Sequence, residues 1–165
     1  MKEIFHRISV RKYEDRPVEK EKILEIIRAG MQAPSAANQK PWEFYVITDR
    51  EILTRLGSRE VSPFTRMTRK APVAIVTAYR TDGPVPEMAE IDMAISLENM
   101  WLMADSLGLG GVMLGIAPAK ARMDAVREIV GIPDHLQPFT IFPFGYPAED
   151  RPQEDRFDET RIHYL

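Results

Sequence analysis

The most constraining feature of this sequence is the segment 88–107, MAEIDMAISLENMWLMADSL, whose apolar side chains surround a helix instead of lining one face. The apolar positions are Ile91, Met93, Ile95, Leu97, Met100, Trp101, Leu102, Met103 and Leu107. A helix that is apolar on most of its circumference must be covered on nearly all sides. Small domains bury a smaller fraction of their surface than large ones, and this chain has only 165 residues. The pattern favours burial by a second subunit; a central core helix in a monomer is the alternative.

The remaining elements alternate between helices and strands, which predicts an α/β or α+β fold with one sheet covered by helices. Amphipathic periodicity predicts helices over 19–32, near 50–57 and over 119–130. Aromatic and β-branched runs predict strands over 42–48, 73–79, 109–116 and 137–145, the last with a proline at an edge or bulge. The length fits one domain spanning 1–165.

Composition excludes several classes of function. The absence of cysteine excludes disulfides, thiolate catalysis and zinc-thiolate sites. The formal charge of -3, with both signs interspersed, argues against nucleic-acid binding. No apolar run approaches the roughly 20 residues that cross a bilayer, and the N-terminus lacks the apolar core of a signal peptide. We expect a soluble cytoplasmic protein without membrane or nucleic-acid partners. The three histidines show no metal-ligand spacing.

Four motifs carry possible chemistry. The first, RISVR, places Arg7, Ser9 and Arg11 within five residues, and arginine suits phosphate because its planar fork donates parallel hydrogen bonds. Taken alone, a solvated basic patch is the simpler interpretation. The second, APSAANQKPW, combines small side chains with Ser35 and Asn38, either as a ligand-lining loop or as a plain connection.

The third motif, GGVMLGI over 110–116, is a glycine-bearing strand, which marks either close backbone approach or tight strand packing. It is not a dinucleotide fingerprint, because no GxGxxG opens a helix, and no P-loop occurs anywhere in the chain. The fourth is the ending, GYP over 145–147 followed by DRFD, in which Arg156 is either a remote phosphate clamp or part of a salt-bridged surface tail.

Together and in this order, the four motifs resemble the nitroreductase family of flavoproteins. The segments that carry the resemblance are RISVRKYEDRPVEKEKILEII, APSAANQKPWEF, SLGLGGVMLGIAP, and PFGYPAED with DRFDETRIHY. The resemblance implies an α+β, nitroreductase-like fold with a central, mostly antiparallel sheet covered by helices. It also implies an intertwined homodimer whose two FMN sites are each built from both subunits, with C-terminal segments that reach across to the partner.

The resemblance assigns roles to individual residues. Arg7 and Ser9 are expected to hold the FMN phosphate and ribityl chain, with Arg156 as a further phosphate contact. Arg11 is expected at the flavin pyrimidine edge, and Ile8 is expected to contribute only its backbone.

A further set of residues is expected to line the ring system of the flavin. Pro34, Ser35, Ala36 and Asn38 are expected to come from the other subunit. Leu114, Gly115 and Ile116 are expected to pass along the flavin, with a backbone N–H near N5.

The implied reaction is a ping-pong transfer of hydride from NADH or NADPH through FMN to a nitroaromatic or quinone, or to a halogenated aromatic as in related dehalogenases. No catalytic side chain is expected beyond the flavin, since the cofactor carries the chemistry. The stretch between Tyr79 and the long helix is short, which predicts an open substrate pocket. The alternatives are a flavin-binding dimer for electron relay, storage or sensing, and a flavin-free structural dimer.

Overall fold

An antiparallel sheet of five strands organises the protein, in a computed structural model that describes residues 2–149 and 152–165. The strands are β1 Trp42–Ile47, β2 Val73–Arg80, β3 Gly110–Gly111, β4 Leu114–Gly115 and β5 Leu136–Gly145. Their order is β1-β2-β5-β3, with β4 also paired to β5. Every pairing between these strands is antiparallel, as the resemblance predicted.

Within the described residues five α-helices surround this sheet, and the four longest lie close to the positions that the sequence predicts. They are α1 Glu3–His6, α2 Lys20–Met31, α3 Arg50–Leu56, α4 Ala89–Ser106 and α5 Lys120–Val130. Asp49 caps α3, because its carboxylate accepts from the N–H groups of Glu51 and Ile52 at 2.9 and 3.0 Å. Short 3₁₀ segments occupy Ala36–Asn38, Pro63–Lys70, Pro86–Met88 and Glu159–Arg161.

The predicted continuous strand over 109–116 is wrong, because the chain pairs as two short strands with a gap at residues 112–113. The shared register of β3 and β4 places Val112 opposite Pro143. The Val112 N–H donates to the Pro143 carbonyl at 3.2 Å, but proline has no N–H with which to return a bond. The ladder is therefore interrupted there.

The two prolines of β5 sit in different environments. Pro138 lies at the bulge predicted for a proline, where the register with β2 shifts between Thr77 and Ala78. Pro143 lies inside a central strand, which is tolerated because its missing donor faces the gap between β3 and β4.

Helices pack on both faces of the sheet. On one face α2 and α4 cover Ile75, Phe142 and Phe144. On the other face α3 and α5 cover a cluster that includes Val76 and Ile141. Alternating residues of β2 and β5 thus serve two cores, so both central strands are almost continuously apolar.

The long helix α4 is only partly covered within the chain. It buries Met93, Leu97 and Met100 against the sheet and α2. Ile91 and Ile95 nevertheless keep 51% and 38% of their surface exposed. These two apolar side chains are only partly covered within the chain. Among the described residues, no helix is long and apolar enough to cross a membrane.

Candidate functional site

The Arg7, Ser9 and Arg11 motif lies along the edge of the sheet beside β3. Ser9 forms a parallel bridge with Gly111, and the Val10 N–H donates to the Gly111 carbonyl at 3.0 Å. A methyl group on Gly110 would come within 2.8 Å of the Val10 Cβ, so only glycine permits this approach. The structure therefore brings the first and third motifs together.

Tyr13 fixes the far end of this segment to the sheet. Its hydroxyl lies 2.9 Å from the Val10 carbonyl and 3.0 Å from the Pro143 carbonyl. Burial raises the pKa of the Tyr13 phenol well above its ordinary value, so the hydroxyl stays protonated and donates. Residues 7–11 are thus held between a backbone pairing and a side-chain anchor.

The two arginines of the motif have different surroundings. The guanidinium of Arg7 lies 3.9 Å above the ring of Trp101 and its Nε is 3.8 Å from Glu98. Among residues 2–149 and 152–165, the Arg7 guanidinium has no other hydrogen-bond or ion-pair partner. Arg11 is exposed, and its Nη1 donates to the Ser9 carbonyl at 3.3 Å.

Arg11 lines a depression of about 310 Å³. Its walls also carry cations that the sequence analysis did not single out. The 3₁₀ segment Pro63–Lys70 contributes Arg66 and Lys70 to its wall. This segment lies in a stretch, 58–71, that periodicity leaves ambiguous. Its composition carries the signal, since PFTRMTRK holds three cations and no acidic residue.

The second motif forms a strained loop. The φ angles of Ala37, Asn38 and Lys40 are 47°, 56° and 48°. These values lie in the left-handed region, which residues other than glycine rarely adopt. Such residues cost of order 1–3 kcal/mol each, and they cluster at functional sites. The Ser35 Oγ accepts from the Lys40 N–H at 3.0 Å, so this hydroxyl helps to close the loop.

A buried carboxylate holds this loop in place. Asp92, on α4, is only 2% exposed. Its Oδ1 accepts from the Ala36 N–H at 2.9 Å and its Oδ2 accepts from Gln39 Nε2 at 2.6 Å. The Gln39 amide also exchanges two hydrogen bonds with the backbone of Val85. Sequence reasoning missed Asp92 and Gln39, although an acidic residue inside an apolar helix was a visible signal.

Pro34, Ser35, Ala36 and Asn38 are not joined to the first motif within one chain. Across residues 2–149 and 152–165, no hydrogen bond or ion pair links them to residues 7–11. Their predicted placement against a partner's flavin stays a prediction.

Gly115 offers an open backbone surface at the edge of the sheet. The Ile116 N–H donates to the Phe139 carbonyl at 3.0 Å, so the alternation of an antiparallel strand turns the Gly115 N–H away from β5. A methyl group on Gly115 would meet no atom within 4 Å. The side chains of Leu114 and Ile116 are buried in the core, which limits any ligand contact there to backbone.

Arg156 is exposed in the C-terminal segment. It lines a depression of about 610 Å³ together with Ile4, Phe5 and Phe157. The nearby Gln153 donates to the Arg7 carbonyl at 3.0 Å, which places this segment beside the first motif. The described part of the chain shows an ion pair between Arg161 and Asp158 in this segment and none that involves Arg156, whose role stays a prediction. The same residues contain no group of three or more acidic or histidine side chains able to hold a metal ion.

A family model described as the nitroreductase family matches residues 4–66 and 60–146, which include three of the four motifs. The chain belongs to the nitroreductase family.

Individual relatives support the match. A putative NADH dehydrogenase/NAD(P)H nitroreductase of Methanothermobacter thermautotrophicus is 41% identical over 95% of this chain and 82% of its own length. A crystal structure of a similarly described protein from Parabacteroides distasonis has a TM-score of 0.93 and 39% identity, covering 99% of this chain and 95% of that one. An FMN-dependent nitroreductase from Clostridium difficile has a TM-score of 0.86 and 28% identity, over 96% and 94% of the two chains.

The family and the nitroreductase-like α+β fold that the four motifs predicted are confirmed. The oxidoreductase class predicted from the same motifs is confirmed as well. The nitroreductase-family chain thus presents an arginine-bearing segment beside the buried glycines of β3, the exposed Gly115 of β4 on the same edge of the sheet, and a strained loop elsewhere.

Proposed function

We propose that the protein is an FMN-dependent oxidoreductase that accepts electrons from NADH or NADPH and passes them to a small oxidised acceptor. The observation that carries the proposal is the edge of the sheet, where the segment of Arg7, Ser9 and Arg11 lies against β3 and β4 ends in the open backbone of Gly115. Cationic donors suited to a phosphate and an exposed glycine backbone suited to a ring thus lie along the same edge of the sheet. The similarity to an FMN-dependent nitroreductase supports the same cofactor.

The donor chemistry of these residues fits FMN. A phosphate dianion requires charge-assisted donors, and Arg7 and Arg156 are the expected ones, with Ser9 toward the ribityl chain. The N–H of Gly115 suits the N5 position of a flavin, because it points away from β5 and the residue is exposed. The buried Leu114 and Ile116 keep that backbone rigid.

When bound, FMN supplies reversible two-electron transfer, so one site can serve a nicotinamide donor and then an acceptor. The protein's own contribution is positional and electrostatic. Arg11 places a positive charge where a reduced flavin carries negative charge at N1–C2=O, which favours reduction. A backbone donor at Gly115 fixes the orientation of the ring. Exchange of donor and acceptor in one pocket predicts ping-pong kinetics.

We also propose that the site is completed by a homodimer. Helices α1, α2 and α4, which contact one another through α4, all carry exposed apolar side chains, namely Ile4, Phe5, Leu24, Met31, Ile91 and Ile95. An apolar depression of about 400 Å³ between these helices includes Leu102 and Met103. The C-terminal segment exposes Phe157, Ile162, Tyr164 and Leu165. Apolar side chains left exposed on neighbouring helices favour an interaction site, and a second copy would cover them.

The acceptor is proposed only by class. The connection between β2 and α4 is short, and the hydrogen bonds of Gln39 pin it at Val85. A short pinned connection leaves the flavin face open, which suits flat molecules that stack, such as nitroaromatics and quinones. A halogenated aromatic is an alternative of the same shape.

Anaerobic absorption spectra provide the decisive test. The purified protein, supplemented with FMN where needed, should show flavin bands that NADH or NADPH bleaches and that a nitroaromatic or quinone restores. Double-reciprocal plots should be parallel, and intersecting lines would remove the ping-pong scheme. Absence of flavin bands after FMN addition would exclude the proposed cofactor. Bands that resist both nucleotides would favour the relay, storage or sensing alternative.

The dimer is tested by sedimentation velocity on the wild type and on Ile95→Glu. The wild type should sediment with twice the mass of the chain, and the variant should shift toward the monomer and lose FMN. Glu87→Gln, an exposed charge change just before the same helix, is the matched control. A monomeric wild type that binds FMN would contradict the proposed interface.

A further inference from the structure

Two depressions on the surface meet at Lys70. The one of about 310 Å³ contains Arg11 and Arg66, and its neighbour of about 530 Å³ contains Arg50 and Arg69. Lys70 lines both, so the two depressions adjoin at this side chain. We refer to this feature, defined by these five cations, as the basic trough.

Most charges of the basic trough have no counter-ion. Within the part of the chain that the structure describes, no ion pair involves Arg50, Arg66, Arg69 or Lys70. This cluster stands out in a chain whose formal net charge is -3.

Other charged groups line the same walls. Lys12 and Arg16 add positive charge, and Glu14, Asp15 and Glu149 add negative charge. Seven basic groups against three acidic groups leave the trough net positive. An anionic ligand is therefore attracted to it.

One lining residue of the trough, Arg50, is preorganised. The guanidinium of Arg50 donates from Nη1 to the Arg69 carbonyl and from Nη2 to the Ala71 carbonyl, each at 2.8 Å. These bonds fix the planar group while leaving its charge uncompensated, since carbonyl oxygens are neutral. An arginine held in this way loses little side-chain entropy when it binds an anion.

The chain needs a side-chain device if it is to recognise the phosphates of a nicotinamide dinucleotide. It contains neither a GxGxxG turn nor a P-loop, so backbone cradles for phosphate of those two kinds are missing from the sequence. Arginine and lysine are the alternative phosphate ligands. The basic trough supplies them, and it starts at Arg11, which the proposed function places at the edge of the flavin.

We propose that the basic trough binds the adenosine diphosphate half of NADH or NADPH while the nicotinamide ring stacks on the flavin. The proposal rests on the proposed function, because it locates the reactive ring beside Arg11. The concave shape and volume suit a small polyanion, whereas a protein or nucleic acid would require a broader charged face.

Donors that differ only in the phosphate-bearing half test this assignment. NADPH, NADH and 1-benzyl-1,4-dihydronicotinamide share the reactive ring, but the last has no phosphate. The measured quantity is the ratio of kcat/KM for NADPH to kcat/KM for the benzyl compound. In Arg69→Gln/Lys70→Gln this ratio should fall about tenfold or more, because the loss of even one charge-assisted contact has an effect of that size. Arg59→Gln, an exposed arginine outside the trough, should leave that ratio unchanged.

Direct binding separates this proposal from the proposed function. Calorimetry should detect adenosine 2′,5′-bisphosphate on the wild type and on Arg59→Gln, and much weaker binding on Arg69→Gln/Lys70→Gln. That pattern would support phosphate binding in the trough even if neither NADH nor NADPH bleaches the flavin. The failure to bleach would contradict only the proposal that these nucleotides are the electron donors. An unchanged NADPH ratio with unchanged bisphosphate binding in the double variant would overturn the proposal.

Discussion

Gly115 allows the flavin site to be tested separately from the fold. In the structure a methyl group at this position meets no atom within 4 Å, and the backbone does not have the positive φ that would penalise alanine. Gly115→Ala should therefore fold as well as the wild type. It should even be more stable by about 0.4–1 kcal/mol, because alanine restricts the unfolded chain.

The same methyl group should interfere with a bound ring. The strand is held to β5 by the Ile116 N–H at 3.0 Å, so it cannot withdraw easily. Forcing an extra methyl into a tight contact costs about 1–3 kcal/mol. At about 1.4 kcal/mol per factor of ten, FMN should bind roughly 5- to 150-fold more weakly.

The assay pairs thermal unfolding with fluorescence titration of FMN, and Gly110→Ala is the matched control. At Gly110 the added methyl would come within 2.8 Å of the Val10 Cβ and 3.1 Å of the Pro147 Cγ. This control should lower the free energy of unfolding by about 1–3 kcal/mol. Wild-type FMN affinity in Gly115→Ala, at unchanged stability, would refute the placement of the ring against β4.

Four further predictions address the rest of the site and the core. Asp92→Asn should loosen the strained loop and weaken FMN binding in fluorescence titrations, since an amide offers one acceptor to two donors; unchanged affinity would show that the loop is remote from the cofactor. Thr77→Val should lower the free energy of unfolding, measured in urea, by about 1–3 kcal/mol, because it leaves the Thr140 hydroxyl, 2.9 Å away, without its hydrogen-bond partner. The double variant Thr77→Val/Thr140→Val should recover most of that lost stability. Arg11→Ala should weaken FMN binding by about 1.5–3 kcal/mol and slow flavin reduction in stopped-flow traces; wild-type values for both would remove its role. Arg156→Ala should reduce FMN affinity without changing the melting temperature, and undiminished affinity would exclude the tail as a phosphate clamp.

Local sequence patterns predicted most of the elements and the family. Apolar patterns and helix-ending residues are properties of neighbouring positions, so the bounds of α2, α4 and α5 follow from them to within one or two residues. The glycines of 110–116 likewise signalled close backbone approach, which Gly110 shows against Val10. The four motifs sufficed for the nitroreductase family because they occur in order over the whole chain.

Contacts between distant residues were decided only by the tertiary structure. Pro143 interrupts a strand that lies some thirty residues earlier in the chain, and no local pattern contains that pairing. Asp92 reaches Gln39 across a sequence separation of 53 residues. Lys70 joins two depressions whose walls come from separate segments.

The division has a physical cause. Which face of a helix or strand is apolar depends on side chains a few positions apart, and these are readable in order along the chain. Contacts between distant elements depend on the register that only the folded chain establishes. This applies to the contact of the buried carboxylate with the strained loop, and to the position at which a proline interrupts the hydrogen bonds between two strands. The sequence by itself therefore determined the elements and the family, whereas the tertiary structure alone decided how the strained loop, the open glycine and the basic trough are arranged.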